Sequence, residues 1–357
     1  MQRPDYSGGS IVNLMAELES RLTGDAPAPV LHPDLAATIP RGETYVVLLI
    51  DGLGTHQLGH PAATSLAADH RATIDTTFPT TTIVALASIA TGLTPAGHGL
   101  VSHFLRLRRH GIVNALKWHR RGGGDLSVDP VGVLPGPNLW ERLNAKGIEA
   151  ITVQPANFED SATTKLLYRG ARFEPAWTVD ELLDATTALA AVPGRLIFTY
   201  LPQVDLAAHT DGQDSVAYAE AVRLADRAWA HLTARLPDGA VAIATADHGH
   251  IDYTDSSKIA LSKPPGAVFG DPRALFLRGE RSGLREWAAD LPGTLVEDPR
   301  DLFGSGDHPT LPDCLPDMIL FADDGFLLLP SWMDDRLVGY HGGLSEAERE
   351  IPLIVSG

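Results

Sequence analysis

Residues 44–50, TYVVLLI, are β-branched, aromatic or aliphatic at every position and run directly into Asp51, after which Gly52-Leu53-Gly54 breaks the chain. A run without polar alternation suits a strand buried on both faces of a parallel sheet. Further runs of similar kind recur at 148–153, 195–201, 240–246, 274–277, 317–321 and 351–355. Between them the apolar spacing lengthens to that of a helix, at 11–22, 139–146, 179–191, 215–236 and 284–290. Residues 82–90, TIVALASIA, are apolar nearly all round, the pattern of a buried helix, led in by Pro79 and Thr80 and stopped by Gly92. Strands alternating with helices predict an α/β fold with a doubly wound, mostly parallel central sheet and helices on both faces. One stretch breaks the rhythm. Residues 103–137, with the basic, glycine-rich centre RLRRHGIVNALKWHRRGGG, read as a small lid-like insertion over the sheet edge, near the active site. No linker or repeat divides the rest, so residues 1–357 are expected to form a single domain.

Composition narrows the class. Hydrophobic residues make up 44% of the 357 and charged residues 20%, enough for a sizeable core and too apolar for a disordered chain. The formal charge of −17 argues against a protein that coats nucleic acid, which needs a basic face. It leaves room for a small anionic substrate, because bound cations invert a local field. A single cysteine, Cys314, excludes a disulfide framework, a cysteine-rich zinc module and an iron–sulfur cluster. No apolar stretch approaches the roughly 20 residues of a membrane span, and the start MQRPDYSGGS has no apolar leader core. A soluble cytoplasmic enzyme is the expectation.

The chemistry gathers just after the predicted strands. Asp51 ends the first; Asp205 and His209 follow 195–201 at a spacing of four; Asp247-His248 closes 240–246; and His341 sits in GYHGG before the last strand. Ligands of open α/β sheets bind outside the carboxyl ends of strands, so these positions converge. A helical turn would point Asp205 and His209 at one ion. Mixed histidine and carboxylate ligation suits Zn²⁺, with Mn²⁺ as the lesser option. Six such side chains are too many for one tetrahedral catalytic zinc and about right for two ions sharing a nucleophile. The nucleophile candidates are the hydroxyls of Thr80-Thr81-Thr82 at the mouth of the buried helix, where unpaired N–H groups favour an alkoxide and an attached phosphate. One threonine is expected to cap the helix while another reacts.

In order and spacing these motifs resemble the alkaline phosphatase superfamily, and within it the type I phosphodiesterase/nucleotide pyrophosphatase family. The matching residues are Asp51, Thr82 nine positions before Thr91 of Thr91-Gly92-Leu93, Pro95, His98-Gly99, Asp205-x-x-x-His209, Asp247-His248-Gly249 and His341-Gly342, spanning 44–357. The resemblance implies that Thr82 is the nucleophile. It also implies that one zinc takes Asp51, Thr82, Asp247 and His248 while a second takes Asp205, His209 and His341.

The likeness is incomplete around the substrate. The family's phosphate-contacting Asn is replaced by His103, and the base-stacking aromatic after the nucleophile by Ile83. A second stacking aromatic is matched by Tyr200. The sulfatase branch is excluded because no C/S-x-P-x-R motif is present; Cys314 lies in PDCLPD. The implied function is a dizinc hydrolase cleaving phosphate diesters of a small phosphorylated substrate through a phospho-threonine intermediate, with His103 and Tyr200 lining the pocket. A phosphomonoesterase or phosphonate hydrolase on the same scaffold is the alternative. A monoester dianion wants an extra cation, whereas a diester wants an apolar pocket, for which Phe104, Trp118 and Tyr200 are candidates. A reading of another class is a catalytically silent zinc-binding protein in which Thr82 is only an N-cap.

Overall fold

In the computed structural model, which describes residues 2–356 apart from 125, 127, 128, 130 and 131, the strand Thr44–Ile50 is buried along its whole length at the middle of a seven-stranded sheet. The strand order is His70–Asp75, Glu350–Val355, Ala240–Thr245, Thr44–Ile50, Arg195–Leu201, Glu149–Pro155, Arg172–Ala176. Thr44–Ile50 pairs in parallel with both Arg195–Leu201 and Ala240–Thr245. Glu149–Pro155 extends the parallel set, and Glu350–Val355 runs antiparallel to its two neighbours. The three central parallel strands therefore end on one edge, and Asp51, Asp205 and Asp247 all lie shortly beyond that edge. Helices fall into two packed groups, as a sheet covered on both faces requires. Ile11–Thr23, Thr82–Thr91 and Leu139–Ala145 pack together, and Val216–Arg235 packs on Val179–Ala190 and Gln203–Asp211.

Thr82–Thr91 is buried throughout from Ile83, which explains why its sequence lacks a polar stripe. Gly92, at φ 68°, closes it by donating its N–H to Ser88 O. Among the described residues no helix is long and apolar enough to cross a membrane.

The predicted strands at 274–277 and 317–321 do not join the central sheet. They belong to a separate antiparallel sheet ordered Ala267–Asp271, Ala274–Arg278, Met318–Ala322, Gly293–Val296. The reason is connectivity: only Pro272 and Arg273 separate the first two strands, and a two-residue link makes a hairpin, whereas a parallel pair needs a crossover of a dozen residues or more. Arg281–Ala288 covers this sheet with an apolar cluster that includes Leu284, Leu275, Leu277 and Leu320. Within 103–137, Phe104–Leu107, Gly111–Asn114 and His119–Arg120 form a small three-stranded antiparallel sheet; part of the stretch lies outside the described residues. Trp118 packs into the main core instead of offering a face to a pocket.

Candidate metal centre

Asp51 emerges from the sheet almost fully buried, and the chain turns at once through Gly52. Gly52 has φ 75°, and a Cβ there would come within 2.9 Å of the Asp205 Cα, so glycine alone lets the strand end and the next helix approach this closely. The Gly52 N–H donates to Asp247 Oδ1 at 3.1 Å, tying two adjacent strand ends. The Gln203–Asp211 helix sets Asp205 and His209 on one face, with Asp205 Oδ1 3.4 Å from His209 Nε2. A two-stranded ribbon, Ile251–Asp252 against Gly339–Tyr340, delivers His341.

The seven residues singled out in the sequence meet in one cluster. His248 Nε2 is its hub: Thr82 Oγ lies 3.1 Å away, Asp51 Oδ1 and Asp247 Oδ2 3.5 Å each, and Asp205 Oδ1 4.0 Å. On the far side His341 Nε2 is 3.2 Å from His209 Nε2 and 3.9 Å from Asp205 Oδ1. The two sets share His248: Asp51, Asp247 and His248 on one side, Asp205, His248, His250 and His341 on the other, each with ligand atoms mutually close enough for one ion. His209 stands beside the second set, against Asp205 and His341. His209 Nδ1 lies 2.7 Å from Gly339 O, and His341 Nδ1 2.7 Å from Thr80 O. A carbonyl only accepts, so both Nδ1 atoms carry the proton and both Nε2 lone pairs face the cluster.

The electrostatics suit a bound cation. Burial, reinforced by Asp205 and Asp247, pushes the Asp51 carboxyl well above the usual carboxylate range. Burial also works against charge on Asp205, yet His209, His250 and His248 around it hold it well below that range. Burial and the neighbouring histidines His248, His250 and His209 push His341 well down, keeping it neutral as a ligand must be. Asp51 Oδ1 and Asp247 Oδ2 are buried without a hydrogen-bond partner. Buried carboxylate oxygens facing no donor are costly unless they meet a positive charge. This mixture of imidazole and carboxylate donors fits divalent metal ligation.

Two expectations change. No threonine side chain caps the Thr82–Thr91 helix: Thr81 holds the N-cap position in its backbone, but its hydroxyl is buried without a partner. Thr80 Oγ instead accepts from the Gly342 N–H at 2.9 Å and donates to Gly343 O at 3.2 Å, pinning the His341 loop. Glu348, itself paired with Arg273, holds that loop from the other side through the Gly343 N–H at 2.9 Å. Tyr200 also differs from a stacking aromatic. The residue is 8% exposed within the main core, its ring lies against Phe158, and its hydroxyl donates to Asp51 Oδ2.

His103 stacks on Phe104 with centroids 4.5 Å apart, its Nδ1 3.7 Å from Asp271 Oδ1 and its Nε2 without a partner. Burial lowers its pKa to about 4, with Asn114 opposing and His209 adding to the depression. Sequence reasoning passed over His250 and Asp271, and it weighed Thr80 as a nucleophile without the part it plays in holding the His341 loop. Only the ADHGH string, with histidines two apart, carried a signal for the first of these.

No curated protein matches the chain in sequence. Solved structures resemble it in fold alone. Murine ectonucleotide pyrophosphatase/phosphodiesterase 5, as an inactive variant in complex with AMP, superposes with a TM-score of 0.66 at 16% identity, covering 88% of this chain and 87% of that one. Phosphonoacetate hydrolase from Sinorhizobium meliloti 1021, in complex with phosphonoacetate, gives 0.63 at 17% identity, covering 89% and 91%. The profile of the type I phosphodiesterase/nucleotide pyrophosphatase family matches residues 45–265, well over half of the chain. The protein therefore belongs to the type I phosphodiesterase/nucleotide pyrophosphatase family and is a phosphoric ester hydrolase.

Proposed function

We propose that this chain is a dizinc phosphodiesterase in which Thr82 is the nucleophile. The observation that carries the reading is the position of Thr82 Oγ, 3.1 Å from His248 Nε2, at the start of a buried helix and beside two groups of side chains able to hold metal. Asp51, Asp247 and His248 would hold one ion with Thr82, and Asp205, His209 and His341 the other. When bound, the pair supplies positive charge that favours the Thr82 alkoxide and stabilises the attacking and leaving oxygens.

The Thr82 oxygen gives up its proton and forms a bond to phosphorus while the bond to the leaving oxygen breaks, that oxygen taking up a proton to depart as the alcohol and leaving a phospho-threonine. Water then attacks phosphorus, and Thr82 leaves with its proton restored. The free N–H groups of the helix start face negative charge on the phosphoryl group. His103, stacked on Phe104, would contact a non-bridging oxygen.

The phosphonate or monoester reading needs an extra cation for a dianionic phosphoryl group, and exposed Lys117, which adds to the depression of the His103 pKa, is the candidate. Hydrolysis of bis-p-nitrophenyl phosphate, p-nitrophenyl phosphate and phosphonoacetate, each with and without chelator, decides between them. Chelator-sensitive turnover greatest on the diester supports the first reading. Turnover greatest on either dianion supports the second, and none on any supports a silent zinc-binding protein.

A further inference from the structure

We infer that His250, two residues beyond the Asp247-His248 pair, is a positioning residue that fixes the Asp205 carboxylate for the ion at the Asp205–His209–His341 face. The inference rests on the metal reading above and assigns a role to a residue outside it.

His250 is fully buried, and its Nε2 stands 2.7 Å from Asp205 Oδ1. That distance decides what His250 does. Ligand bonds of about 2.0–2.1 Å at tetrahedral angles separate two ligand atoms by roughly 3.3 Å. Asp205 Oδ1 to His209 Nε2, at 3.4 Å, and His209 Nε2 to His341 Nε2, at 3.2 Å, match such a separation. At 2.7 Å the His250–Asp205 contact is instead an N–H···O hydrogen bond. A carboxylate accepts, so His250 Nε2 carries the proton and is not free to bind metal.

The ring is clamped where it stands. A Cβ on Gly52 would fall 2.9 Å from its Cδ2, and one on Gly339 3.1 Å from its Nδ1, so two glycines make its slot. Its carbonyl accepts from Gln57 at 3.2 Å and Gln213 at 3.3 Å. The ribbon pairing Ile251 with Tyr340 and Asp252 with Gly339 brings His250 opposite His341 at the next step, with ring centroids 5.0 Å apart. One short ribbon thus carries a ligand on one strand and the orienting group of a different ligand on the other. Partners of this kind limit the rotamers of a ligand and typically contribute ten- to a hundredfold in metal affinity.

The test is zinc affinity and stoichiometry by chelator competition on the zinc-loaded protein, alongside H250A, H250Q and H250N. The Gln amide nitrogen stands where Nε2 stood, and the Asn amide nitrogen where Nδ1 stood. H250A and H250N are expected to release one of two zinc ions about ten- to a hundredfold more readily, and H250Q to recover most of the loss. In the zinc-loaded wild type, ¹⁵N spectra should show His250 as the neutral Nε2–H tautomer without a metal-ligation shift, a readout that needs no variant to fold. Unchanged affinity in H250A, H250Q as weak as H250A, or a metal-ligated His250 resonance would each overturn the inference while leaving two bound zinc ions intact. Wild-type protein that takes up no zinc overturns the metal reading itself, and the inference with it.

Discussion

His341 Nδ1 donates to the carbonyl of Thr80 at 2.7 Å, joining the loop that precedes the nucleophile candidate to a histidine 261 residues further along the chain. The bond sets the tautomer that turns His341 Nε2 toward Asp205 and His209. The Thr80 hydroxyl doubles the link through Gly342 and Gly343. Removing that hydroxyl leaves the carbonyl contact but orphans a buried N–H. Thr80→Ala should therefore lose about 1–3 kcal/mol in urea unfolding, and Thr80→Ser should recover most of it. Equal stability of all three proteins would contradict this role.

Thr82 is separable from its neighbours. Thr82→Ala should lose about 10³-fold or more in diesterase turnover while six ligands still hold metal; Thr82→Ser keeps the oxygen and much of the rate. Thr81→Ala removes a hydroxyl that makes no bond and should change turnover little. Turnover at matched zinc content checks all three, and full activity in Thr82→Ala sinks the nucleophile assignment.

Tyr200→Phe tests the contact that replaced an expected base-stacking face. Without the hydroxyl, Asp51 Oδ2 loses its donor in the core. Zinc affinity should fall about tenfold by chelator competition. A change in KM for nucleotide diesters with zinc affinity untouched would restore the stacking reading.

The central strand and the carboxylates at strand ends were legible because burial on both faces leaves an unbroken apolar run, and because function concentrates at such ends. The strands His70–Asp75 and Arg172–Ala176 were not. They lie at the two edges of the sheet, where exposed positions such as Arg71, Arg172 and Pro175 dilute the apolar signal. The second sheet was misplaced because 274–277 reads alike in a parallel or an antiparallel setting, and only the two-residue Pro272-Arg273 turn tells them apart. His250 and Asp271 escaped notice for another reason. Each acts through a partner distant in sequence, Asp205 in one case and the His103 segment in the other, and spacing along the chain does not record that.

Burial pushes Asp271 up to about 7, so the folded protein keeps a proton there that the unfolded chain releases near 3.8. Because the folded pKa is the higher one, the stabilising contribution is complete below the unfolded value and is lost as pH rises toward 7. Each pH unit in that window costs about 1.4 kcal/mol at most. Asp271→Asn holds no such proton. Urea unfolding of both proteins at pH 5 and pH 8 should show the wild type losing stability relative to the variant as pH rises. Parallel changes would show that Asp271 is ionised in the fold.

Anomalous diffraction at the zinc edge, on crystals of the zinc-loaded protein, addresses the dinuclear centre itself. Two peaks about 3.5–4 Å apart are expected, one among Asp51, Thr82, Asp247 and His248 and the other among Asp205, His209 and His341. A single peak, or peaks away from these side chains, would contradict it.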